Sequence, residues 1–138
     1  MKAFFDTSAY AKRFIDESGS DQIDGICRQT NELGLSIICP VELISALNRR
    51  RREGVLSDHD YEKIKRALTD EMQDVTIINI TNNVISQSIH LLENSSLRAM
   101  EALQISCALA WQAEVFISAD RGQTEAATRA GLQTIYIA

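Results

Sequence analysis

Short, mostly apolar runs alternate along this chain with longer segments of helical spacing. The short runs are KAFF (2–5), LSII (35–38), VTIINI (75–80), EVFIS (114–118) and TIYI (134–137), each of strand length. Between them apolar residues recur at helical intervals, as Ile64, Leu68 and Met72 do. Strands that alternate with helices predict an α/β protein in which helices cover both faces of a parallel sheet.

Length and composition favour a single globular domain over residues 1–138. Hydrophobic residues make up 45% of the chain, and there is one proline. The N-terminus, MKAFFDTSAY, has no signal-peptide core, and no apolar run approaches the roughly 18 residues of a membrane span. We therefore expect a cytoplasmic protein without membrane contact. A net charge of −5 argues against binding nucleic acid by bulk electrostatics, although local basic patches remain possible.

Several residues indicate where helices begin. Pro40 suits the first turn of a helix that includes VELISALNRR (41–50). Ser57 with Asp60 forms an approximate capping box, and Thr81 can cap the segment NNVISQSIHLLEN.

Three acidic residues follow predicted strands at short distances. Asp6 follows the first run directly, Glu42 lies four residues after the second, and Asp120 lies two residues after EVFIS. In open parallel sheets ligands bind beyond the carboxyl ends of the strands, so these acids are expected to gather at one edge. Taken singly, each is also explained as a helix N-cap or first-turn acid.

Glu101 is a fourth candidate, because it is the only acid in LRAMEALQISCALAW (97–111). Most of this helix is apolar, which predicts extensive burial. A carboxylate there must be paired, hydrogen-bonded, bound to a metal or protonated. Arg98, three residues earlier, offers a salt bridge as the structural alternative.

Four carboxylates around one pocket require a compensating cation. At 4 Å two of them repel by roughly 4 kcal/mol at an effective dielectric near 20. Mg²⁺ and Mn²⁺ prefer such oxygen ligands and support hydrolysis of phosphodiesters. The sequence contains no Ser-His-Asp set, glycine-rich phosphate loop or Cys/His metal spacing that competes with this interpretation.

Four stretches resemble PIN-domain ribonucleases, and most of all the VapC-type toxins of toxin–antitoxin pairs. In chain order they are FFDTSAYAKRF, CPVELISALNRRRREGVLS, LRAMEALQISCALAW and FISADRGQTEAATRAGL. The resemblance implies a three-layer PIN-like fold with a five-stranded parallel sheet, a Mg²⁺- or Mn²⁺-dependent endoribonuclease activity, and inhibition by a cognate antitoxin. It also implies a homodimer, expected here to form through apolar helix faces in the first half of the chain. By motif, the catalytic metal ligands are Asp6, Glu42, Glu101 and Asp120, holding one or two ions.

The chain departs from the family pattern in the helix motif. That motif usually reads L-R-A-x-D-A-x-H, whereas Glu101 and Gln104 stand at the acid and histidine positions here. Thr7, Ser8 and Ser118 match the family's small hydroxyl residues beside the acids, where they would orient ligands or water. Helix capping and strand-end turns are the alternative roles for these three residues.

Basic residues near the acids are candidates for contacts with RNA phosphates. Lys12, Arg13, Arg98 and Arg121 each lie within a turn or two of an acid. The run from Arg49 to Arg52 is better explained by the favourable interaction of cations with a helix C-terminus.

Two other functions compete with the nuclease. A phosphoacceptor receiver domain also binds Mg²⁺ at strand ends, but it needs an acid after the third strand and a lysine near the last. VTIINIT and TIYIA provide neither. A PIN-like module that binds RNA or a protein without cleavage is allowed by the residues at positions 101 and 104.

Overall fold

The computed structural model describes residues 1–138 and contains one five-stranded sheet in which every pairing is parallel. The strand order is β3-β2-β1-β4-β5. The strands are β1 Lys2–Phe5, β2 Glu32–Ser36, β3 Thr76–Ile78, β4 Val115–Ser118 and β5 Thr134–Tyr136. The helices are α1 Thr7–Tyr10, which continues into a 3-10 turn at Ala11–Arg13, α2 Ser20–Gln29, α3 Cys39–Arg52, α4 Asp58–Glu71, α5 Asn82–Asn94, α6 Ala99–Trp111 and α7 Arg121–Arg129. The predicted α/β fold with a five-stranded parallel sheet is confirmed.

Helices cover both faces of the sheet, and each face has its own core. Side chains alternate along β1, so that Phe5 packs with α1 to α4 while Phe4 packs with α5 to α7. The Phe4 ring stacks on that of Phe116 from β4, with centroids 5.7 Å apart. No helix is both long and apolar enough to span a membrane.

The predicted bounds of two strands were wrong. The sequence predicts a strand at LSII (35–38), but β2 runs from Glu32 to Ser36. The two isoleucines belong to the turn into α3, where the backbone N–H of Ile38 donates to the Ser36 hydroxyl. The strand predicted at 75–80 is only Thr76–Ile78, an edge strand that pairs with β2 alone.

The predicted helix starts are confirmed. Pro40 lies in the first turn of α3, where the missing N–H has no intrahelical partner to lose. The hydroxyl of Ser57 accepts from the N–H of Asp60, and the hydroxyl of Thr81 accepts from the N–H of Val84. These caps fix where α4 and α5 begin.

A glycine in β2 determines how closely α6 approaches the sheet. A Cβ placed on Gly34 would lie 2.4 Å from Cζ3 of Trp111, at the end of α6. Lys2 holds the same tryptophan from β1, because its Nζ donates to the Trp111 carbonyl at 2.6 Å and lies 4.6 Å from the ring centroid. The position of α6 therefore depends on the missing side chain at position 34.

Gly34→Ala should destabilise the protein by about 1–3 kcal/mol, because the added methyl group must displace the indole ring or the helix. The matched control is Gly25→Ala in the interior of α2, where the nearest atom to an added Cβ is 3.8 Å away. That variant should gain about 0.5–1 kcal/mol, since alanine favours helix. Urea unfolding measures both, and changes of the same sign would contradict the packing argument.

Candidate active site

The four predicted acids line one cavity of about 190 Å³ at the carboxyl edge of the sheet. The lining residues are Asp6, Thr7, Ser8, Glu42, Met100, Glu101, Gln104, Asp120 and Gln123. None of them is basic. Larger clefts of about 440 and 430 Å³ lie around Arg13 and α4, and they contain none of the four acids. The prediction that these acids would gather at the ends of the strands agrees with this placement.

Asp6 is the buried centre of the site, at 1% exposure directly after the central strand β1. Its Oδ1 accepts from the N–H of Ala9 at 2.9 Å and from the hydroxyl of Ser8 at 2.7 Å. Its Oδ2 accepts from the hydroxyl of Ser118. Burial raises the pKa of Asp6 to about 6, against the lowering effect of these three donors, and the nearby charge of Asp120 raises it further.

Asp120 and Glu101 each cap a helix and line the cavity at the same time. Asp120 is the N-cap of α7, where its Oδ1 accepts from the N–H of Gln123 at 2.8 Å. Glu101, in the first turn of α6, accepts the N–H of Arg98 at 2.9 Å through Oε1. Glu101 forms no ion pair with the Arg98 side chain, so the salt-bridge alternative does not apply.

Glu42 lies in the first turn of α3 and is held by two side chains from other helices. Its Oε1 accepts from the hydroxyl of Thr7 at 2.6 Å and from Nε2 of Gln104 at 2.8 Å. Glu42 lies well beyond the end of β2, and its contacts with α1 and α6 hold its side chain at the cavity.

The three small hydroxyl residues contact the acids directly. Thr7 donates to Glu42, whereas Ser8 and Ser118 donate to Asp6. The two serines also accept backbone N–H groups, Ser8 from Ala119 at 3.0 Å and Ser118 from Asp120 at 2.9 Å. Each serine therefore orients the Asp6 carboxylate and also stabilises the turn at the end of β4. Orienting an acid and forming a strand-end turn are thus not exclusive roles for these residues.

The basic candidates fall into two groups, and none lines the cavity. Lys12 donates to Glu17 and to the Ser18 carbonyl, and Arg13 donates to Glu71 at 2.6 Å. Arg98 and Arg121 are exposed and form no ion pair. The Arg121 guanidinium lies over the Tyr136 ring, 5.2 Å from its centroid.

Two buried glutamines also line the cavity, and neither is among the site residues that the sequence predicts. Gln104 is 3% exposed and Gln123 is 5% exposed. Each lies three residues after a candidate acid on the same helix or its cap, and this spacing places side chains on one face. That spacing is the signal that could have identified them.

The carboxylate oxygens that line the cavity are suitable ligands for a hydrated divalent cation. No three acidic, histidine or cysteine side chains are close enough to enclose an ion by themselves. Glu42, Glu101 and Asp120 each receive protein hydrogen bonds on one carboxylate oxygen, which leaves the second oxygen without a protein donor. Mg²⁺ keeps several waters and takes one or two carboxylates directly, so it suits such an arrangement.

These features define a three-layer α/β protein with an acidic cavity after the central strands of a parallel sheet. The family model for the PIN domain matches residues 3–128. The chain therefore belongs to the PIN domain family. Comparison with curated protein sequences gave no match.

Solved structures share this fold over nearly the whole chain. VapC20 of Mycobacterium tuberculosis, described as a sarcin–ricin loop cleaving toxin, is 14% identical with a TM-score of 0.73, covering 97% of this chain and 98% of its own. VapBC-1 from nontypeable Haemophilus influenzae is 17% identical with a TM-score of 0.71, covering 99% and 98%. A toxin–antitoxin complex from Klebsiella pneumoniae is 15% identical with a TM-score of 0.71 and the same coverage.

Asp6→Asn should stabilise the protein in EDTA at about pH 7.5, by up to about 3 kcal/mol if the pKa shift is fully expressed. The folded protein binds the Asp6 proton more tightly than the unfolded chain does, so wild-type stability falls as the pH rises from about 4 to about 6. Asparagine removes this loss, and the difference between the two proteins should close below about pH 4.

Urea unfolding across this pH range measures the effect. Asp16→Asn is the control, because Asp16 is exposed and should show no such pH-dependent gain. Destabilisation by Asp6→Asn at every pH would identify Asp6 as a purely structural cap.

Proposed function

We propose that this protein is a metal-dependent endoribonuclease that hydrolyses RNA phosphodiesters, and that it is the toxin of a type II toxin–antitoxin pair. The observation that carries the proposal is the placement of four carboxyl groups on one cavity whose lining contains no basic side chain. Clustered carboxylates repel one another, so the cavity is suited to a divalent cation. Membership of the PIN domain family supports the same chemistry.

The residues proposed to hold Mg²⁺ or Mn²⁺ are Asp6, Glu42, Glu101 and Asp120. When bound, such an ion offsets the clustered charge, polarises a phosphoryl oxygen and lowers the pKa of water. The protein's own contribution is orientation. Ser8, Ser118 and the N–H of Ala9 fix both oxygens of Asp6. The N–H of Arg98 holds one oxygen of Glu101, and the N–H of Gln123 holds one oxygen of Asp120.

The substrate is proposed to be a single-stranded or looped segment of RNA. The similar VapC20 is described as a sarcin–ricin loop cleaving toxin, which supports a looped substrate. Arg98 and Arg121 are the better of the basic candidates for phosphate contacts, because Lys12 and Arg13 are already bound to acidic side chains. Both arginines flank acids that line the cavity.

The proposed partners are a cognate antitoxin and a second copy of the chain. The similar structure from Klebsiella pneumoniae is a toxin–antitoxin complex, which supports the antitoxin. Exposed apolar side chains, which a second copy could cover, lie at Ile37 and Val41 in the first half of the chain, and at Ile85 and Ile89 on α5.

The proposed homodimer should show twice the mass of the single chain in light scattering at micromolar concentration. The mass of a monomer would contradict the dimer.

Glu101→Gln provides the sharpest test of the nuclease. Glutamine can still accept the Arg98 N–H and complete the cap, so the unfolding free energy should stay near that of the wild type. It removes the charge, so RNA cleavage in Mg²⁺ or Mn²⁺ should fall by at least about 10- to 100-fold. Electrophoresis of end-labelled RNA measures cleavage, and Asp6→Asn should abolish it.

The matched control is Glu125→Gln, an exposed acid on α7 that does not line the cavity, and its cleavage should equal that of the wild type. Cleavage that persists in EDTA or survives Asp6→Asn would overturn the mechanism. RNA binding without any cleavage by the wild type would instead favour the non-cutting module.

A further inference from the structure

Gln104 has an unusual hydrogen-bonding environment for a buried amide. It lies on α6 at 3% exposure, and its Nε2 donates to Oε1 of Glu42 at 2.8 Å and to Oγ1 of Thr7 at 2.9 Å. Its Oε1 is the only buried side-chain nitrogen or oxygen in the protein that has no hydrogen-bond partner. Such groups are rare in folded proteins and destabilise them by about 1–3 kcal/mol.

The orientation of this amide is dictated by Glu42. Rotation of the amide by half a turn would bring its oxygen against the Glu42 carboxylate, so two acceptors would face each other and both donor contacts would be lost. The observed orientation is therefore the better of the two even though it leaves Oε1 unpartnered. An apolar residue of similar size would avoid that unpartnered oxygen altogether, so the stability of the core does not explain a glutamine here.

Glu42 is the final acceptor of the hydrogen bonds in this cluster. Nε2 of Gln104 donates to Glu42 and to Thr7, and the single hydroxyl proton of Thr7 goes to Glu42 at 2.6 Å. The three side chains thus form a closed ring in which Glu42 only accepts. Both donations reach the same carboxylate oxygen, Oε1, and the protein supplies no donor to Oε2.

We infer that Gln104 is a positioning residue, which together with Thr7 fixes Oε1 of Glu42 so that Oε2 is presented to a divalent cation in the acidic cavity. The inference rests on the proposed metal-dependent function and assigns a role that neither capping nor core packing provides. Gln104 touches no reacting atom and acts only through Glu42. Partners that orient metal-ligating carboxylates typically change metal affinity by 10- to 100-fold when removed.

The test is the affinity for Mn²⁺ alone, measured by calorimetric titration of metal-free protein, with thermal unfolding in EDTA as the readout of structure. Gln104→Met keeps the size of the side chain and removes both donors. It should weaken Mn²⁺ binding by about 10- to 100-fold while the unfolding temperature in EDTA stays equal or rises, since the unpartnered oxygen is gone. The control is Gln87→Met on α5, a partly buried glutamine whose side chain forms no hydrogen bond and lies outside the acidic cavity, and this variant should bind Mn²⁺ as the wild type does.

Thr7 supplies an independent pair of variants. Thr7→Val removes the hydroxyl without changing the shape and should weaken Mn²⁺ binding, whereas Thr7→Ser keeps the donor and should restore it. Because both residues act on one oxygen, the double variant Thr7→Val/Gln104→Met should lose little more affinity than the worse single variant.

The outcomes separate this inference from the function on which it rests. Wild-type Mn²⁺ binding that is unchanged in Gln104→Met and in Thr7→Val would overturn the positioning role and leave the metal site intact. A lower unfolding temperature in EDTA with unchanged Mn²⁺ affinity would make Gln104 a structural residue and also overturn it. Failure of the wild type to bind Mn²⁺ would overturn the proposed metal site, and the role of Gln104 with it.

Discussion

The burial of one carboxyl group at the end of the central strand is the constraint around which the site is organised. Asp6 follows β1, which pairs with β2 on one side and β4 on the other, and its side chain is almost fully buried. A carboxylate in that position needs donors, and it receives them from the turn into α1 and from Ser118 at the end of β4. The hydrogen bond from Ser118 also joins the ends of β1 and β4 beside the cavity.

Helix capping and metal binding are compatible roles for an acid in this cavity, because a capping carboxylate uses only one of its two oxygens. Asp120 and Glu101 satisfy N–H groups with one carboxylate oxygen and keep the other free of protein donors. The cap therefore orients the side chain toward the cavity. An acid at a helix start is suited to both tasks because the first turn is rigid and offers N–H donors at a fixed distance.

The architecture could be predicted from the sequence because apolar runs of strand length alternate with helical spacing, and the three strand-end acids follow from that pattern. The bounds of β2 could not be predicted, since Ile37 and Ile38 look like strand residues but belong to a turn held by a side chain. The hydrogen-bonding environment of Gln104 could not be predicted from the sequence either. It depends on α1, α3 and α6 meeting at one point, and those contacts join residues 62 and 97 positions apart.

The pairing of β1 with β4 links assembly of the cavity to the progress of chain synthesis. Ala3 pairs with Val115, which is made 112 residues later in the chain. Until β4 has joined the sheet, Asp6 lacks the Ser118 donor, and the cavity lacks Asp120 as well as the turn that positions Ser8. Pairings between such distant segments form late because closing the intervening loop is entropically unfavourable. A growing polypeptide on the ribosome therefore carries the separate parts of this acidic cavity well before it carries the cavity itself.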